Sequence, residues 1–152
     1  MKIFLASDHQ GFELKHELFG YLSKNGYDVE DVGNQILDAN DDYPQFAQMA
    51  ALKVLGEEDP DTRAILVCGG GQGMAIAANR FRGIRAAVVR DAHEAKMSRL
   101  DNDANVLALT AQQLTDEPEA AHGIVETWLS TKFSGAARHQ RRIKEIDEIY
   151  GD

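Results

Sequence analysis

Apolar and β-branched residues gather in short runs along the chain, each ending at a polar or glycine-bearing turn. Ile3 to Ala6 runs into Ser7-Asp8-His9-Gln10-Gly11, Ile65 to Val67 into Cys68-Gly69-Gly70-Gly71-Gln72-Gly73, and Ile84 to Val89 into Arg90-Asp91-Ala92-His93-Glu94. Val29 to Val32 and Val106 to Leu109 have the same strand-like character. Between these runs the apolar positions recur at helical spacing, as in Phe12, Leu14, Leu18 and Leu22 and again in Ile124, Val125, Trp128 and Leu129. Strand alternating with helix predicts an α/β fold with a parallel sheet covered on both faces. The helix starts agree: Asp91 stands three residues before Glu94 as in a capping box, and Glu117, Pro118 and Glu119 suit a first turn. Asn34 to Asp42 predicts a surface loop before Tyr43-Pro44.

A doubly wound five-stranded parallel sheet commonly takes the strand order 2-1-3-4-5, which is the order expected here, with a C-terminal helix after it. Strands 1 and 3 are then neighbours whose following helices leave to opposite faces, and ligands bind beyond the carboxyl ends of the strands at that point. The two loops placed there are SDHQG and CGGGQG.

With 152 residues and no internal repeat or linker, residues 1–152 read as one domain. The net charge of −9 argues against a nucleic-acid partner or an anionic membrane surface. No apolar run reaches membrane-spanning length, and the apolar part of MKIFLASDHQ is too short for a signal peptide. One cysteine excludes an internal disulfide and points to the cytoplasm.

The glycine loop lacks the Gly-Lys-Ser/Thr ending of a P-loop and a clean GxGxxG, so an ATP or NAD site is not indicated. It offers backbone N–H groups at a helix start, suited to a phosphate or an oxyanion. Cys68 is either a small buried hydrophobe or, at a strand end beside those donors, a reactive thiol; without acyl-transfer apparatus nearby, a base is preferred to a nucleophile. Asp8 and His9 read equally as a helix cap with a polar neighbour and as ligand contacts. The histidines at 9, 16, 93, 122 and 139 make no metal-ligand pattern, so no metal is expected. Arg138 and Arg142 lie four apart, with Arg141 on the same stripe, and either converge on a phosphate or face solvent.

Taken together, SDHQG, Asp42-Tyr43-Pro44, CGGGQGMAIAANR, GIRAAVV, Asn102-Asp103-Ala104-Asn105-Val106-Leu107 and ARHQRR resemble the ribose-5-phosphate isomerase B family, which includes the galactose-6-phosphate isomerase subunits. The likeness runs in order from about residue 3 to residue 147. It implies a Rossmann-like aldose-ketose isomerase of sugar phosphates, in carbohydrate metabolism of the pentose phosphate kind, with no metal or organic cofactor. It also implies a homodimer whose sites are shared between subunits, or a dimer of such dimers. By the same resemblance Cys68 is the proton-abstracting base, and Asp8, His9 and Tyr43 contact substrate. Gly69, Gly70, Gly71 and Gly73 cradle its reacting end, Asn102 is a further contact, and Arg138 and Arg142 hold the phosphate.

Three positions depart from the family pattern. Gly70 replaces a threonine or serine, Asp101 replaces the histidine that opens the furanose ring, and Gln112 replaces a phosphate-contacting arginine. Asp101 is therefore a catalytic candidate in the ring-opening position. Ribose 5-phosphate is the default substrate. The alternatives are an acyclic tetrulose 4-phosphate, a hexose 6-phosphate, a non-catalytic phosphosugar-binding protein, and one subunit of a hetero-oligomer. Retention of Cys68 argues against pure binding.

Overall fold

The structure, a computed structural model, describes residues 1–148, so the last four residues of the expected 1–152 domain lie outside the described residues. Its centre is a five-stranded all-parallel sheet. The strands are β1 (Lys2–Ser7), β2 (Asp28–Asp31), β3 (Arg63–Cys68), β4 (Ala86–Val88) and β5 (Val106–Thr110). The helices are α1 (Phe12–Lys24), α2 (Tyr43–Gly56), α3 (Gln72–Ala78), α4 (Ala92–Asn102), α5 (Ala111–Leu114), α6 (Pro118–Ser130) and α7 (Ala137–Glu148).

The doubly wound parallel sheet and the C-terminal helix are as expected, but the strand order is 2-1-3-5-4 and not 2-1-3-4-5. Burial explains the exchange. VLALT of β5 is buried throughout and fits between two neighbours, whereas β4 is three residues long, only half-buried, and suits an edge. The crevice is unaffected, because β1 and β3 still pair from Ile3↔Arg63 to Ser7↔Val67.

Strand alternation divides the core in two. Ile3, Leu5, Ile65, Val67, Leu107 and Leu109 face α1 and α6, where Leu14, Leu18, Leu22, Ile124, Val125 and Trp128 pack. Phe4, Ala6, Ala64, Leu66, Cys68, Val106 and Ala108 face the small-residue helices α2 and α3. The helix starts follow their local chemistry. Asp91 accepts from the Glu94 N–H at 2.7 Å while Glu94 accepts from the Arg90 N–H at 2.8 Å, and Pro118 opens α6 behind Glu117. No described helix is long and apolar enough to cross a membrane.

Candidate active site

Cys68 closes β3 at the carboxyl edge of the sheet, 5% exposed and paired in register with Thr110. Strand parity fixes its direction: it shares the face of Ala64 and Leu66, so the thiol lies on the side of α2 and α3. The loop after it is tied down through the Gly69 carbonyl, which accepts from the Gln112 N–H at 3.1 Å and from Thr110 Oγ1 at 2.8 Å. Gly71 turns the chain into α3 with φ 74°, a left-handed conformation that favours glycine. At Gly73 the need is close approach, since a β-carbon there would stand 2.7 Å from the Tyr43 ring, which thereby covers the loop. Gly70 is exposed with open space beyond it, so no local packing requires a glycine there. The first turn of α3 presents N–H groups that have no partner within the helix.

Asp8 and His9 follow β1 at the same edge. The Asp8 carboxylate accepts from the Gln10 N–H at 3.0 Å and the Gly11 N–H at 3.1 Å, which makes it the cap of a single 3-10 turn at His9–Gly11. Burial pushes its carboxyl above the ordinary aspartate range, against the lowering effect of those bonds. The His9 ring lies 2.6 Å from Asp41 through Nδ1, and that bond holds its pKa above the ordinary histidine value. Asp8, His9 and Asp41 bring possible ligand atoms within 4.8 Å of one another, and the two carboxylates are already engaged as hydrogen-bond acceptors.

The remaining site candidates stand elsewhere. Asp101 and Asn102 end α4, which runs back from the carboxyl edge and delivers the chain to the start of β5. Four strand steps separate Val106 from Thr110, the partner of Cys68, a distance of about 13 Å. α7 begins at that opposite end. The Ser134 N–H donates to the Leu100 carbonyl at 3.2 Å, His139 Nδ1 lies 3.6 Å from Asp101 Oδ1, and Arg138 Nε donates to His139 Nε2 at 3.0 Å. A cleft of about 280 Å³ opens beside Asn102, between Ile84 and Ile146. A single chain thus gathers Asp8, His9, Tyr43, Cys68 and Gly69 to Gly73 at one end of the sheet, and Asp101, Asn102, Arg138 and Arg142 at the other.

The model of the Ribose/Galactose Isomerase family matches residues 3–146. The chain belongs to this family. It is 42% identical to ribose-5-phosphate isomerase B of Escherichia coli (strain K12) over 148 residues, which cover 97% of this chain and 95% of that relative. The crystal structure of a ribose 5-phosphate isomerase from Thermotoga maritima superposes with a TM-score of 0.90 at 45% identity, each chain covered to 97%. Ribose-5-phosphate isomerase B from Mycoplasma genitalium, solved with bound ribulose-5-phosphate, gives a TM-score of 0.92 at 40% identity, covering 99% of this chain and 97% of that one.

Several residues around the family's motifs carried no signal in the sequence. Asp41 lies in an acidic loop whose pattern says only that it is exposed, yet it packs against His9. The side-chain ends of Gln10, in the 3-10 turn after β1, and of Gln112, on α5, both lie against Gly69, so Gln112 does reach the glycine loop. Buried His139, inside the ARHQRR motif, accepts from Arg138 and is within 3.0 Å of Ser134 Oγ. Its spacing next to Arg138 was the one hint available.

Proposed function

We propose that this isomerase moves a carbonyl between C1 and C2 of a sugar phosphate, with ribose 5-phosphate and ribulose 5-phosphate as substrate pair, and that Cys68 is the base. The observation that carries the reading is the position of the thiol. It sits at the carboxyl edge of a central strand, under a glycine loop and beside Asp8, His9 and Tyr43, in a member of a sugar isomerase family. Cys68 takes the proton from C2 of the open-chain aldose. The C–H electron pair becomes the C1–C2 double bond while the carbonyl pair moves onto O1, giving an enediolate. A proton passes from O2 to O1, and Cys68 returns its proton to C1, which leaves the ketose. The N–H groups of the glycine loop stabilise the oxyanion as its charge develops. Phosphate binding at a distance holds the reacting carbons against sulfur.

The phosphate ligands Arg138 and Arg142 come, in this reading, from a second copy of the chain. Met49, Leu52 and Leu55 on α2 and Ile76 on α3, which pack together on one face of the sheet, and Ile146 on α7 are exposed apolar side chains. A two-fold pairing on that strip sets the Arg138 end of one chain beside the Cys68 end of the other, and each site becomes whole. The cytoplasm is the compartment we assign to the enzyme.

The test is proton exchange. Purified protein in D2O with ribulose 5-phosphate, erythrulose 4-phosphate and a ketohexose 6-phosphate should place deuterium at the exchanging carbon of the five-carbon substrate, followed by NMR. Exchange with none of the three overturns the reading, and exchange only with another sugar phosphate reassigns the substrate.

A further inference from the structure

Asp41 belongs to none of the motifs that carry the family resemblance, yet its carboxylate accepts three hydrogen bonds and its side chain is 5% exposed. Two of those bonds come from one residue: the His9 backbone N–H at 3.0 Å and the His9 ring Nδ1 at 2.6 Å, both to Oδ1. A carboxylate can only accept, so the proton on that side of the ring belongs to Nδ1. The second oxygen is held by Asn34 Nδ2 at 2.9 Å. Asn34 is itself fixed from the core. Its Oδ1 accepts from Ser7 Oγ at 3.2 Å, and its carbonyl accepts from the fully buried Lys15 Nζ, which also pairs with Asp31 at 2.7 Å. β1, α1 and β2 therefore jointly anchor a loop carboxylate against one histidine.

We propose that Asp41 is a positioning residue that holds His9 as an imidazolium and leaves its Nε2–H as the donor to an anionic oxygen of the bound sugar phosphate. This rests on the function proposed above. Nε2 bonds to no other described residue, while the ring is partly exposed at the edge that carries Cys68. In a neutral ring with its proton on Nδ1, Nε2 would be an acceptor and would repel a phosphate or hydroxylate oxygen; the cation supplies both a donor and a charge. The charged groups facing His9 are Asp8 from its own turn and Asp41 and Asp38 from the 34–42 loop, all carboxylates that favour the cation. A histidine raised in this way keeps its charge to higher pH, so ligand affinity extends above the range that an isolated histidine allows.

The experiment follows the imidazole nitrogens of 15N-labelled protein from pH 5 to 9 in wild type, Asp41→Asn and Asp41→Glu. Ribulose 5-phosphate kinetics and calorimetric binding of inorganic phosphate are measured over the same range, and thermal melts confirm that each variant is folded. The expected result is a lower His9 titration midpoint in Asp41→Asn. Its KM should rise at pH 7.5 as the charged fraction of His9 falls, and less so at pH 5, with kcat within about threefold and partial recovery in Asp41→Glu. An unchanged midpoint, or a loss of kcat at unchanged KM, overturns the proposal. If the midpoint falls but wild type turns over no sugar phosphate, the reaction assignment fails while the control of His9 stands; phosphate binding that ignores the midpoint removes the ligand role.

Discussion

The Tyr43 ring covers Gly73 so closely that a β-carbon on the glycine would stand 2.7 Å from Cζ and 2.8 Å from Cε2. The ring is 40% exposed and free to swing toward water, so Gly73→Ala should move Tyr43 and leave the core intact. Stability is expected to change by less than about 1 kcal/mol, while kcat/KM falls by about tenfold or more as the wall of the Cys68 crevice opens. Combined with Tyr43→Ala, the alanine should add nothing. Wild-type kcat/KM in Gly73→Ala would show that the contact plays no part in the site.

Cys68→Ala removes one small side chain from the α2 and α3 face and should fold normally, with proton exchange into the sugar abolished. Arg138→Ala should also be nearly inactive. Mixing the two inactive variants under conditions that allow subunit exchange should restore activity, because a mixed dimer carries one intact pair of ends. Failure of the mixture, with exchange verified by mass spectrometry, would place the phosphate ligands in the same chain as the thiol.

Arg138 and Arg142 project from successive turns of α7, and Arg138 is held by His139. Alanine at either position should weaken a phosphorylated inhibitor by about 1.5–3 kcal/mol, the scale of a charge-assisted hydrogen bond. The same substitution should leave the dephosphorylated inhibitor almost unaffected. Equal losses for both inhibitors would contradict a phosphate role.

Asp8 has its carboxyl raised by burial, so its contribution to stability is fully present below its unfolded pKa of about 4 and is lost as pH rises through the higher folded value. Asparagine keeps the cap acceptor for Gln10 and Gly11 without the buried charge. Asp8→Asn is therefore expected to match wild type near pH 4 and to exceed it at pH 7 in urea melts, while losing substrate affinity. A variant less stable than wild type at pH 7 would show that the ionised carboxylate is a net stabiliser.

By the family resemblance we assign Asp101 to the position of a ring-opening histidine, and it lies 3.6 Å from buried His139. Imidazole is the side chain best suited to pass a proton near neutrality, so closed furanose substrates should be slow and Asp101→His should speed them. The measurement is kcat/KM for ribose 5-phosphate and for acyclic erythrulose 4-phosphate in both proteins. We expect a gain of about tenfold or more confined to the cyclic sugar. Equal gains, or none, would remove the ring-opening role from this position.

Features set by near neighbours along the chain were legible in the sequence. Period-two alternation in IFLA and AILVC settles which face of the sheet each residue joins, and so sends Cys68 toward α2 and α3. The Asp91 and Pro118 helix starts, the glycine turn and the i, i+4 stripe of Arg138 and Arg142 are local in the same sense. The exchange of β4 and β5 was not, because it depends on which strand can be buried on both faces by partners distant in sequence. Nor was the pairing of Asp41 with His9, where a loop of exposed, acidic appearance is tethered through its own Asn34 by Ser7 of β1 and by Lys15 of α1, which also pairs with Asp31 of β2. The separation of Cys68 from Arg138 is of the same kind: β5 ends beside Cys68, and α6 then carries the chain back along the sheet, its last carbonyls bonded to Arg63 at the start of β3, so that α7 begins at the opposite end.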